Sequence, residues 1–242
     1  MRPPVVLLHG FLGRAADWRP VRAGLPAEWD VRAPDLPGHG AATNLDAYTM
    51  DAAADLALAG LAAPADVVGY SMGGRLALHL AATRPQAVRR VVVVSGSPGL
   101  RTEAERAARR DLDARRAVAL QADFPAFVEQ WYRMPLWSSL PDDLRPLLTA
   151  DRIVHNRPAE LAASLGGMGT GAQPNHWDAL AGISAPVWAV AGALDPKFVD
   201  LTRQMAGASG SVEAVVLPDA GHFVPAERPA ALAALLTDLL SD

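Results

Sequence analysis

The chain has 242 residues, enough for one large α/β domain or a core with an inserted segment. Half the residues are apolar and the net charge is −4, so a sizeable core is expected and the charge gives no reason to expect a nucleic-acid partner. The absence of cysteine excludes disulfides, thiolate catalysis and cysteine-ligated metal.

Val5–Leu8 is an unbroken valine and leucine run, the pattern of a parallel strand buried on both faces. The run is too short for a signal-peptide core or a membrane span, so a cytoplasmic chain with no membrane partner is expected. It ends in His9-Gly10-Phe11-Leu12-Gly13. Residues 29–33 read as the next strand and run into Pro34-Asp35-Leu36-Pro37-Gly38-His39-Gly40, a turn-rich loop. A helix is predicted over residues 50–63, with Thr49 as its N-cap. The apolar stretch 65–68 leads into Gly69-Tyr70-Ser71-Met72-Gly73, and a helical pattern follows. Residues 88–95 read as another buried strand, ending in Gly96-Ser97-Pro98-Gly99.

From about residue 102 to 178 the strand signal vanishes. Alanine, arginine, glutamate and leucine dominate first, and proline and tryptophan punctuate later, the pattern of several helices joined by short loops. Strand character returns over 186–192 and Val212–Leu217, and leucines at helical spacing predict a closing helix over Pro229–Leu240. Alternation of strand and helix on both sides of the break predicts a mostly parallel open sheet with helices on both faces. Residues 1–100 and 179–242 would form this core. Residues 101–178 would be a helical lid over the carboxyl ends of the strands, the edge where open α/β sheets bind ligands.

The chemistry centres on Ser71. A short strand, a serine between glycines and then a helix read as a nucleophile elbow, in which the glycines let strand turn sharply into helix and leave the hydroxyl exposed. A serine needs an imidazole to take its proton, and that imidazole needs an acid to orient it. Of six histidines, His222 stands just after the last strand, and Asp195 just after the strand before it. The chain order Ser71, Asp195, His222 is that of the α/β-hydrolase fold. The backbone N–H groups of Met72 and Phe11 are the natural pair of oxyanion donors. His9 is expected to shape the loop that carries Phe11, His39 to make a structural contact, and His79 to pack. His155 and His176 fall in the helical segment, where they could meet a substrate. No histidine pair has metal-ligand spacing, so no metal is expected. Arg75 lies one helical turn beyond Ser71 on the same side, and a buried arginine there requires an anion. Lysine occurs once, at Lys197, and every other strong base is arginine, which lowers the information in any single arginine.

The chain resembles the 2-succinyl-6-hydroxy-2,4-cyclohexadiene-1-carboxylate synthases of menaquinone biosynthesis nearly end to end. The resemblance rests on Leu8-His9-Gly10-Phe11-Leu12-Gly13, on residues 35–40, and on Gly69-Tyr70-Ser71-Met72-Gly73-Gly74-Arg75. It continues in Ser95-Gly96-Ser97-Pro98-Gly99-Leu100, Glu105-Arg106-Ala107-Ala108-Arg109, Trp131-Tyr132, Gln173-Pro174 and Asp195-Pro196-Lys197-Phe198. It implies a lyase reaction in which the triad, with Ser71 as base, removes a ring proton and pyruvate leaves by elimination. No cofactor is required. The implied substrate carries three carboxylates. The resemblance assigns Arg109 and Arg152 to them beside Arg75, and Tyr70, Trp131 and Gln173 to the pocket wall. A small polycarboxylate would be the ligand, and a monomer or weak homodimer is expected. The same triad also suits a serine hydrolase, acting on esters or on C–C bonds of an anionic substrate. A non-catalytic receptor would have no need of all three triad residues.

Overall fold

The computed structural model describes residues 2–241. Six strands, β1 (Val5–Leu8), β2 (Val31–Arg32), β3 (Ala65–Tyr70), β4 (Val88–Val94), β5 (Val187–Gly192) and β6 (Val212–Leu217), form one sheet in the order β2-β1-β3-β4-β5-β6. Every pairing is parallel, with Leu8 opposite Gly69 and Gly192 opposite Leu217. The order reverses between β1 and β3, so the loops leaving these strands diverge and open a crevice at their carboxyl ends.

Side chains alternate across the sheet, so each strand feeds two cores. Val5, Leu7, Val68, Val92 and Val190 face one side, where they meet α1 (Arg19–Arg22) and α10 (Pro229–Leu240) through Val21, Leu232 and Leu236. Val6, Leu8, Val67, Val91 and Ala189 face the other, against α2 (Met50–Leu58), α3 (Met72–Thr83) and α8 (Pro196–Ala208). Thr49 caps α2 by accepting a hydrogen bond from the Ala52 N–H.

Between β4 and β5 the chain builds α4 (Glu103–Ala122), α5 (Phe124–Tyr132), α6 (Leu144–His155) and α7 (Pro158–Met168). Thr102 and Glu105 start α4 with reciprocal side-chain to backbone bonds, and the Asp123 carboxylate caps α5. α4 packs on α7 and α5 on α6. Leu120, Phe124, Val128, Tyr132 and Trp137 seat the helices on the first core. The two links to the sheet are tied to each other. Trp177 Nε1 donates to the Gly99 carbonyl at 2.8 Å, and the His176 N–H to that of Pro98 at 2.7 Å. A short helix, α9 (Val224–Glu227), precedes α10.

Several elements are shorter than the sequence suggests. The strand expected over 29–33 pairs only at Val31–Arg32. The helix expected over 50–63 stops at Leu58, with Gly60 following at φ +70° and Pro64 beyond it. The strand expected to reach residue 95 ends at Val94, because Ser95 turns to φ +51°. Among the described residues, no helix is long and apolar enough to cross a membrane.

Candidate active site

Ser71 occupies the sharp turn from β3 into α3 at φ +51° and ψ −106°. A side chain rarely adopts this conformation, which costs on the order of 1–3 kcal/mol. The turn exists because its flanks are glycine. A Cβ on Gly69 would lie 2.0 Å from the Gly73 carbonyl oxygen, and one on Gly73 would lie 2.1 Å from that of Leu8. The Ser71 N–H donates to the Val94 carbonyl at 2.8 Å, which locks the turn to the neighbouring strand.

His222 and Asp195 meet Ser71 as their places at the strand ends predict. Ser71 Oγ lies 3.2 Å from His222 Nε2, and His222 Nδ1 lies 2.8 Å from Asp195 Oδ2. The imidazole is 2% exposed and the carboxylate 7%. Asp195 has a second task as the N-cap of α8, where Oδ1 accepts the Phe198 N–H. The histidine ring is held by Phe198, Trp137 and Tyr70, with ring centroids 4.6, 5.3 and 5.6 Å away. Its loop is fixed by Glu227, whose carboxylate accepts the N–H groups of Gly221 and Phe223 at 2.8 and 2.9 Å. Glu227 escaped the sequence reading. Its only signal was an acid one helical turn beyond the histidine segment.

The N–H groups of Phe11 and Met72 make no backbone hydrogen bond among the described residues, and both residues line the cavity above Ser71. His9 aims the first of them. Its Nε2 accepts from the Leu36 N–H at 2.9 Å, so its proton sits on Nδ1 and is donated to the Gly10 carbonyl at 2.8 Å. A planar trans peptide sends C=O and N–H in opposite directions, so fixing the Gly10 carbonyl fixes the Phe11 N–H. Burial lowers the pKa of His9, which favours the neutral ring that this arrangement uses. His39 stacks edge-on against His9 at 5.1 Å and, through burial, is also pushed well below the usual histidine range. His79 bridges Asp51 and His176 at 3.0 Å each, and burial and His79 lower the pKa of His176 to about 4. Neither His79 nor His176 lines the cavity, and His155 is half-exposed beside Asp151.

The cavity over Ser71 has a volume of about 260 Å³. Arg75, Arg109 and Trp131 reach it from α3, α4 and α5, together with Lys197 at the start of α8. Arg75 Nη1 donates to the Met168 carbonyl at 2.7 Å and to Gln173 Oε1 at 3.4 Å, both neutral acceptors. Burial, then repulsion from Arg109, lowers its pKa to about 10, so the guanidinium stays charged at neutral pH. Arg109 is paired with Asp113 at 2.9 Å.

Three sequence expectations are not met at the cavity wall. Arg152 is 1% exposed, with its guanidinium bound to both oxygens of Asp17 at 2.7 Å, to Asp151 and to the Tyr132 hydroxyl. Burial alone would depress its pKa, but Tyr132 and Asp17 raise it above the usual arginine value. Its guanidinium is thus matched by protein groups. Gln173 is 0% exposed and stands behind Arg75, its amide donating to the Ser97 carbonyl at 3.0 Å. Tyr70 follows strand parity to the face of Val68, where its ring stacks on Phe223 at 4.8 Å.

A serine–imidazole–carboxylate chain under a cationic cavity, at the switch point of a parallel sheet, defines a serine enzyme of the α/β class. Residues 3–229 match the family described as the alpha/beta hydrolase fold. The chain is 33% identical over 98% of its length, and 92% of the relative's, to a 2-succinyl-6-hydroxy-2,4-cyclohexadiene-1-carboxylate synthase of Enterobacter sp. (strain 638). A Bacillus subtilis (strain 168) protein provisionally given the same name is 35% identical over 98% of this chain and 90% of its own. The solved structure of MenH from S. aureus superposes with a TM-score of 0.91 at 28% identity, covering 98% of this chain and 93% of that one. The chain belongs to the 2-succinyl-6-hydroxy-2,4-cyclohexadiene-1-carboxylate synthase family within the α/β-hydrolase fold.

Proposed function

We propose that the chain eliminates pyruvate from 2-succinyl-5-enolpyruvyl-6-hydroxy-3-cyclohexene-1-carboxylate, the lyase step of menaquinone biosynthesis. The observation that carries this reading is Arg75, a guanidinium with only neutral partners opening onto the cavity that holds Ser71. A charge so placed requires an anion, which a neutral ester would not supply.

The substrate's own bonds define what the site must do. The hydrogen on ring carbon 2 is α to the succinyl ketone and is the acidic one. His222 takes the Ser71 proton, and the alkoxide removes the hydrogen from carbon 2. The electron pair forms the C2=C3 bond, the C3=C4 pair moves to C4=C5, and the C5–O bond breaks. The departing enolate of pyruvate takes its proton from the His222 imidazolium, which restores the triad. Charge that develops on the succinyl oxygen meets the N–H groups of Phe11 and Met72, and Asp195 stabilises the imidazolium. Arg75 and Arg109 hold substrate carboxylates, and Trp131 forms part of the wall. In this reading residues 1–100 and 179–242 are the catalytic core and residues 101–178 the cap. A small polycarboxylate ligand and a cytoplasmic site of action accompany it.

The test is pyruvate release from the enolpyruvyl substrate, read by coupling to lactate dehydrogenase, beside hydrolysis of p-nitrophenyl esters. Rapid pyruvate release with slow ester turnover is expected. Fast ester hydrolysis without pyruvate would assign the site to a serine hydrolase instead.

A further inference from the structure

We propose that Lys197 is the third cation of the substrate site and holds a carboxylate from the α8 side of the cavity. The inference rests on the elimination reading, whose substrate carries three carboxylates. With Arg152 consumed by Asp17 and Asp151, the arginines on the cavity wall are Arg75 and Arg109. Arg109 is already shared with Asp113. A third carboxylate therefore needs another cation, and Lys197 lines the same cavity.

Lys197 is exposed to solvent and borders the cavity. It lies in the first turn of α8, where the helix dipole disfavours a positive charge. Among the described residues it forms no ion pair that would offset that cost. Its Nζ stands 5.4 Å from the Phe198 ring centroid, and that ring lies 4.6 Å from His222. The charge is thereby set one aromatic ring away from the triad. Composition adds a separate argument. Every other strong base in the chain is arginine, and the one lysine lies on the cavity. A compact, flexible point charge can follow a carboxylate that moves, where a guanidinium prefers a fixed bidentate partner.

The single lysine also supplies the test. Among amines, an N-hydroxysuccinimide ester can label Lys197 and the α-amine, and peptide mass spectrometry reads the two separately from each other and from any acylation of Ser71. Succinate is expected to slow labelling of Lys197 at least fivefold relative to the α-amine, and uncharged succinamide to leave it unchanged. In steady-state pyruvate release, Lys197→Ala should raise KM about tenfold with kcat within threefold, and Lys197→Arg should restore KM to within threefold. Equal labelling with and without succinate would overturn the proposal. So would an unchanged KM in Lys197→Ala, or a loss confined to kcat with a shifted pH profile, which would make Lys197 part of the triad's electrostatics. Should the wild-type protein release no pyruvate, the elimination reading fails alone, and protection by succinate still decides the role of Lys197.

Discussion

Arg152 is wholly buried and Arg75 half-buried at the cavity, and the charges around the two differ. Arg152 on α6 is fully matched: two carboxylates and a phenol surround its guanidinium and leave nothing for a ligand. Arg75 on α3 faces a carbonyl and an amide, which satisfy hydrogen bonds without neutralising charge. Burial alone therefore does not mark an arginine that is open to a ligand. The charge of its partners does, because a desolvated cation without a counter-ion draws an anion from solution.

Substitutions can break this contrast. The largest effect is expected at Arg152→Ala, which leaves Asp17 without its guanidinium partner, while Asp151 keeps Arg14. Unfolding in urea should show a loss of about 3 kcal/mol, with KM unchanged in the protein that remains folded. Arg75→Ala should do the reverse. The fold keeps its stability, while kcat/KM for pyruvate release falls roughly 30-fold, about 2 kcal/mol, the low end for truncating one partner of a charge contact. A stable Arg152→Ala variant with a raised KM, or an active Arg75→Ala variant, would dissolve the distinction. The smallest effect is expected at Gln173→Ala. It removes the bridge from Arg75 to the Ser97 carbonyl, so KM should rise roughly fivefold and stability fall by about 1 kcal/mol, the worth of one hydrogen bond.

The triad was legible in the sequence because each member is announced locally. Ser71 has its glycines, and Asp195 and His222 each follow a strand that the pattern of apolar residues reveals. The roles of the arginines were not legible in the same way. Arg152 is claimed by Asp17, a contact made only once the helices between β4 and β5 fold down onto the loop after β1. No local spacing encodes that approach. Tyr70 was decipherable in principle, since strand parity places it with Val68, away from the cavity. Helix α8 went unread, although Asp195 as N-cap and Pro196 after it are the usual signals of a helix start. The carboxylate of Asp195 joins the helix cap to His222, so one residue carried both signals and only the catalytic one was taken. Lys197 stands out in the sequence only as the single lysine, because its place on the cavity depends on how α8 leaves β5.

The peptide unit between Gly10 and Phe11 divides the labour at position 11. Its orientation is dictated from behind by the His9 ring, so the electrophilic N–H needs nothing from the benzyl group beyond it. That benzyl group is then free to pave the chamber, where it meets Trp131 edge-on at 5.3 Å. Replacing Phe11 with another apolar residue would reshape the chamber while leaving the backbone N–H at position 11 where the His9 ring sets it.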